Sequence, residues 1–143
     1  MRFSPYTGFF GGARAPMTAY AAFFGASDLQ IVAFSDMPAD QHSPGSEGLV
    51  MHAQFSAGPG APLMACDIPP GMGMGKGGTG GTGGTSVFHG APCVATAWRV
   101  FDALSEGGSV EMPLDETFWS GAFRMPTDRF GTRWMISVAP GAA

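Results

Sequence analysis

The chain has 143 residues, of which 45% are hydrophobic and 13% charged, and it carries a net charge of −4. That length fits one domain or two small fused modules, and the apolar share is that of a folded rather than a disordered chain. No run of about 18 apolar residues offers a membrane span, and without a basic cluster neither nucleic acid nor an anionic membrane is an expected partner.

Taken in order, RFSPYTGFF (2–10) reads as a strand rich in aromatic residues. ARAPMTAYAAFFG (13–25) reads as a helix, with Pro16 in its first turn, Met17, Tyr20, Ala21 and Phe24 on one face, and Gly25 as its stop. DLQIVAF (28–34) is a strand, and SDMPADQHSPGSEG (35–48) is a loop of turn-forming residues. LVMHAQFSA (49–57) alternates as a strand. Leu49, Met51, Ala53 and Phe55 fall on one side, and Val50, His52 and Gln54 on the other. APLMACD (61–67) closes a hairpin with it through Gly58-Pro59-Gly60, and Asp67 is expected to end that strand as a turn residue.

Residues 71–85, GMGMGKGGTGGTGGT, contain the Gly-Lys pair of a phosphate-binding loop. That loop needs glycine where Pro70 stands and Ser or Thr where Gly77 stands, and it needs a helix to follow at once. A strand follows instead. The tract therefore reads as a linker between modules.

Beyond it the order repeats. TSVFHG (85–90) is a strand. APCVATAWRVFDALSEGG (91–108) is a helix whose Val94, Ala97/Trp98, Phe101 and Leu104 face the core. SVEMP (109–113), FWSGAFRM (118–125) and TRWMISV (132–138) are three further strands. In the last, Arg133, Met135 and Ser137 alternate with Trp134, Ile136 and Val138. Asp128-Arg129-Phe130-Gly131 is a hairpin turn before it. Both halves thus read β-α-β-β-β, with a first module over 1–70, a linker over 71–84 and a second module over 85–139. A short echo, Ala19-Tyr20-x-x-Phe23 against Ala97-Trp98-x-x-Phe101, accompanies the repeat. In such a unit one helix covers one sheet face, and the other face is left to line a cleft. The fold class expected is α+β: two βαβββ modules forming a curved mixed sheet with a central cleft.

This paired order, with the segments SPY (4–6), DMP (36–38), MHA (51–53), CD (66–67), WRVFDALSEGGSVEM (98–112), ETFW (116–119) and TDRFGTRWMISV (127–138), resembles the vicinal oxygen chelate superfamily of glyoxalases, bleomycin-resistance proteins and extradiol dioxygenases. Within it the chain is most similar to the PhnB-like branch. The resemblance implies a homodimer. In metal-using members it implies four ligands from the first, fourth, fifth and eighth strands, positions that fall near Ser4, Met64, Thr85 or Ser86, and Met135. None is a histidine or carboxylate, and thioethers do not replace the oxygen or imidazole donors that a hard divalent ion takes. No bound metal or other cofactor is therefore expected.

Two residues are candidates for chemistry. His52 lies mid-strand on the more polar face, as a general base or a ligand-orienting donor, or else as a hydrogen-bonded sheet histidine. Glu116 stands among aromatic residues as an acid or base, or else as a turn carboxylate. Gln54, Cys66, Trp119, Phe123 and Met135 join them as candidate ligand-binding residues. Cys66 serves as a nucleophile only if a base adjoins it, and otherwise as a small buried thiol. Trp119, Phe123 and Trp134 form either an apolar floor for a planar ligand or plain core. His42 and His89, placed in or beside loops, have no metal-binding spacing with His52 and Glu116. The cysteines Cys66 and Cys93 are isolated, and the opening MRFSPYTGFFGG lacks the apolar core of an export signal, so reduced thiols and a cytoplasmic location are the expectation.

The leading reading is a PhnB-like protein that binds a small organic molecule without a catalytic metal. The alternatives are metal-dependent lyase, isomerase or dioxygenase chemistry, the demethylubiquinone methyltransferase label carried in this branch, and drug sequestration by a dimer. The chain has no Gly-rich loop between strand and helix for a nucleotide-type methyl donor.

Overall fold

The computed structural model describes residues 4–69, 86–117 and 120–138, with 111–117 and 120–122 described as backbone. The Gly/Thr tract and Trp119 lie outside these residues. The chain divides into two compact units, Met1–Gly83 and Gly84–Ala143. Each repeats the same α+β plan of one helix and a four-stranded mixed sheet.

The first unit runs β1 (Tyr6–Phe9), α1 (Arg14–Phe23), β2 (Gln30–Ala33), β3 (Val50–Ser56) and β4 (Pro62–Asp67). Two short 3-10 turns, Phe34–Asp36 and Ala39–Gln41, interrupt the long connection between β2 and β3. The sheet order is β1-β4-β3-β2, with β1 parallel to β4 and the other pairs antiparallel. Parallel pairing of β1 with β4 requires the whole of the intervening unit as its crossover.

Helix α1 follows from its pattern: Met17, Tyr20 and Ala21 recur at helical spacing and are all buried. Its end is a Schellman motif. Ala26 N–H donates to the Ala21 carbonyl at 2.8 Å and Gly25 N–H to that of Ala22 at 3.2 Å. Gly25 holds φ +68°, the left-handed conformation that this cap needs and that glycine adopts without strain. No side chain of its own N-cap residue, Ala13, caps the start. That task falls to Asp67 from the end of β4. Its Oδ1 accepts the Ala13 N–H and its Oδ2 the Val50 N–H, both at 2.8 Å. Asp67 is therefore a buried tie between α1, β3 and β4, not a turn residue. A carboxylate can be buried here because two backbone donors and the positive end of a helix replace its water.

The alternation expected in β3 is broken by a bulge. Val32 pairs with His52 but Ala33 with Val50, so Met51 is an extra residue. The bulge turns Val50 to the helix side, where it is buried, while His52 and Gln54 stay on the uncovered side. Val50 thus leaves the polar row in which the alternation placed it.

The second unit runs β5 (Ser86–Ala91), α2 (Val94–Ser105), β6 (Ser109–Thr117), β7 (Ser120–Thr127) and β8 (Arg133–Val138). Its order, β5-β8-β7-β6, repeats the first with β5 parallel to β8. Trp134, Ile136 and Val138 are buried beneath α2, whose Ala97, Val100, Phe101 and Leu104 face them. The buried positions Met17, Tyr20 and Ala21 thus match Ala97, Val100 and Phe101, an offset of 80. The echo Tyr20/Trp98 runs at 78 and joins unlike sites, since Tyr20 is 3% exposed and Trp98 42%. Trp98 has another task. Arg124, buried on the helix side of β7, places its guanidinium 3.7 Å from the ring centroids of both Trp98 and Phe101. The two aromatic faces offset the desolvation of that cation.

Between β7 and β8 the Asp128 carboxylate accepts from Phe130 N–H, Thr132 N–H and Trp134 Nε1–H at 2.9–3.0 Å. Gly131, at φ +82°, makes the turn possible as its sequence suggested. Gly108, after α2, is glycine for space: a Cβ there would overlap the Thr127 carbonyl oxygen and meet the backbone of Asp128.

Replacing Asp67 by alanine strands two buried N–H groups. Hydrogen bonds to a charged acceptor contribute about 1.5–3 kcal/mol each, so Asp67→Ala should lose about 3 kcal/mol or more. Urea unfolding followed by circular dichroism measures this, and an unchanged midpoint would refute the role given to Asp67.

Candidate functional site

The uncovered face of the first sheet is built from register. Tyr6 and Gln54 both lie opposite Met64, Gln30 lies opposite Gln54, and Gly8 lies opposite Cys66. Tyr6, Gln30, Val32, His52, Gln54, Met64 and Cys66 therefore share one side of the sheet, away from α1.

On that side Tyr6 reaches across β4 to β3. Its hydroxyl lies 3.0 Å from His52 Nδ1, and the two rings are 5.6 Å apart at a tilt of 39°. His52 Nε2 lies 3.1 Å from Gln54 Oε1. Gln54 Oε1 can only accept, so Nε2 carries a hydrogen; Nδ1 accepts the Tyr6 O–H when the ring holds no second hydrogen and donates to the Tyr6 oxygen when it does. Cys66 lies against the same hydroxyl. Burial first, and then the neighbouring thiol, push the Tyr6 phenol above its ordinary range. Burial likewise pushes the Cys66 thiol up, and the contact with Tyr6 only partly offsets it. Cys66 is thus a neutral thiol beside a phenol, which does not activate it as a nucleophile.

His52, Gln54 and Cys66 are accordingly brought together, with Tyr6 as the member the sequence did not reveal. Tyr6 stood two residues beyond Ser4 in the quoted SPY segment, but no local pattern joins it to His52. Phe123 and Met135 lie in the second unit. There Phe123 pairs with Ser137, and Met135 with Phe88, on the side away from α2. Phe88 on that face is 64% exposed, and Ser86, Arg133 and Ser137 share the side with it. Glu116 falls within β6, but its side chain, like Trp119, lies outside the described residues. His89 is not in a loop. It is in β5 opposite Ile136, on the helix side, where burial and the Arg99 charge hold its pKa below the usual imidazole range. His42 lies in the long connection between β2 and β3.

The strand positions implied for a metal do not fit one. Met64 and Met135 present thioethers, Ser86 opens β5, and Thr85 lies outside the described residues. Among the described residues no three His, Cys, Asp or Glu side chains come together. No described helix is long and apolar enough to cross a membrane.

The two cysteines sit in different electrostatic surroundings. Cys93 is the N-cap residue of α2, with Sγ 3.3 Å from Thr96 Oγ1. The Thr96 hydroxyl first, then the Thr96 and Ala95 backbone N–H groups, lower its pKa. At mildly alkaline pH iodoacetamide should therefore label Cys93 before Cys66, the gap should narrow as pH rises, and Thr96→Val should move the Cys93 profile to higher pH. Peptide mass mapping of timed reactions measures this; faster labelling of Cys66 would contradict it.

The family profile described as Glyoxalase/Bleomycin resistance protein/Dioxygenase superfamily matches residues 6–136. Protein YjdN of Escherichia coli (strain K12) is 32% identical over 147 aligned residues, covering 96% of this chain and 95% of YjdN. The crystal structure of protein PA1353 from Pseudomonas aeruginosa is 35% identical with a TM-score of 0.81, covering 97% of this chain and 98% of that one. A Bacillus cereus structure titled putative 3-demethylubiquinone-9 3-methyltransferase, PhnB protein, is 25% identical with a TM-score of 0.67, covering 97% and 100%. A PhnB protein thus stands among the similar structures, as the quoted segments led one to expect, and the chain belongs to the Glyoxalase/Bleomycin resistance protein/Dioxygenase superfamily.

Proposed function

We propose that this chain is a PhnB-like small-molecule-binding protein that works without a catalytic metal, with the uncovered face of its first sheet as a ligand surface. The observation that carries the reading is the hydrogen-bonded row Tyr6–His52–Gln54 on the sheet face that points away from α1. Polar side chains fixed by one another on such a face are specific donors and acceptors, set among the softer surfaces of Met64, Val32 and Cys66. The thioethers of Met64 and Met135 at the metal-bearing strand positions support the metal-free part. The methyltransferase title belongs to the Bacillus cereus protein; the donor loop it calls for has no counterpart in this sequence. The family resemblance supports a homodimer, and a cytoplasmic site of action belongs to the same reading.

The test is a fragment screen read by amide chemical shifts, with elemental analysis of chelator-treated, untagged protein. Binders should perturb the Tyr6, His52 and Gln54 amides, and divalent metal should be well below one ion per chain. About one ion per chain, or perturbations that avoid β1 and β3 altogether, would overturn the reading. Light scattering on the same sample should give the mass of two chains, and a monomer mass would remove the dimer.

A further inference from the structure

The hydrogens of the row have a direction, and the direction selects a ligand. With His52 neutral, the Tyr6 O–H is spent on Nδ1 and the Nε2–H on Gln54. The phenol then offers a ligand only oxygen lone pairs. A proton taken from solvent onto Nδ1 reverses this. Nδ1–H then donates to the Tyr6 oxygen, and the phenol O–H is released to a ligand oxygen, a stronger acceptor than the Cys66 sulfur that adjoins it. Gln54, with its oxygen held by Nε2, keeps its N–H groups for an acceptor.

We infer that this face takes a small planar organic anion, such as an aromatic carboxylate, and that its binding is coupled to protonation of His52 through Tyr6. The inference rests on the ligand surface proposed above. Planarity follows from the Tyr6 ring, 48% exposed beside half-buried Met64 and Cys66. The groups facing His52 from its neighbouring strands are consistent with the coupling. Tyr6 comes from β1 and Cys66 from β4; β2 contributes Val32 and Gln30. The one carboxylate of β4, Asp67, is on the opposite side, bound to Ala13 and Val50. No acid on these strands therefore competes with the ligand for the imidazolium. The chain's net charge of −4 works against indiscriminate anion binding, so any uptake must be local.

The probes are benzoate and its neutral counterpart benzamide, titrated into the full chain at about pH 8 and about pH 5.5, which bracket the ordinary imidazole range. Benzoate should bind about tenfold more tightly at the lower pH, as a charge-assisted bond replaces an acceptor-only contact. Saturating benzoate should move the His52 titration to higher pH by the reciprocal amount. Benzamide should show neither effect. Tyr6→Phe should abolish the pH dependence while His52 still titrates. In the free protein above the titration, long-range nitrogen correlations should show the Nε2–H tautomer. The inference fails if benzoate affinity is the same at both pH values, if Tyr6→Phe keeps the full dependence, if the Nδ1–H tautomer is found, or if benzoate does not bind. Ligands that perturb this face with no link to pH would sink the coupling alone; perturbations confined elsewhere would sink the ligand surface itself.

Discussion

Asp67 holds the first unit together from the end of its central strand. Its two oxygens fasten the start of α1 and the start of β3, which lie 54 and 17 residues away along the chain. Because β4 lies between β1 and β3, the anchored end of that strand keeps both neighbours in register. Tyr6 and Gln54 consequently stand on either side of Met64, on the face opposite to the carboxylate. The Tyr6–His52–Gln54 row thus depends on a group that never reaches it. A carboxylate serves better here than an amide, since both of its oxygens accept and the helix end favours negative charge.

The second unit repeats the strand order but assigns its polar groups differently. Tyr6 and Phe88 occupy like places, on the first strand of each unit and opposite Met64 and Met135. The phenol oxygen is the difference: it lets β1 bond across to His52, whereas Phe88 has only a ring to present. In the second unit two charged side chains are held beneath or beside the helix-covered face. Arg124 is held between two aromatic rings, and Asp128 gathers the turn and the Trp134 indole. The same topology thus places a Tyr–His–Gln row on the open side of one unit and an exposed phenylalanine at the matching place in the other. Side-chain choice within a fixed register is enough to make that change.

Much of the architecture was legible because it is local. Period-two alternation marked β3 and β8, the Gly58-Pro59-Gly60 turn marked β4, and helical spacing marked most of the buried stripes of α1 and α2. The Asp128–Gly131 turn followed from its residue types. Where the reading failed, a non-local contact decided. Val50 alternates with its neighbours in the sequence, yet the bulge against β2 turns it inward. His89 stood near the end of a predicted strand, in or beside a loop, and pairing with β8 carries that strand on to Ala91 and turns His89 toward α2. Asp67 looked like a strand-ending turn residue until two distant N–H groups claimed it. The Tyr20/Trp98 echo failed for a related reason: identity of residue type is not identity of position on a helix face.

The sequence by itself determined the order of elements, the buried side of β8 and of most of β3, and the residue types that those strands present. These properties are written in short-range periodicity and residue type. Only the tertiary structure decided that Tyr6 meets His52, which lies 46 residues away, and that Asp67 serves α1. The physical reason is that parallel pairing of β1 with β4 is set by packing across an entire unit. The register of such a pair, and therefore which side chains touch over the strand between them, leaves no trace in the local pattern of either segment.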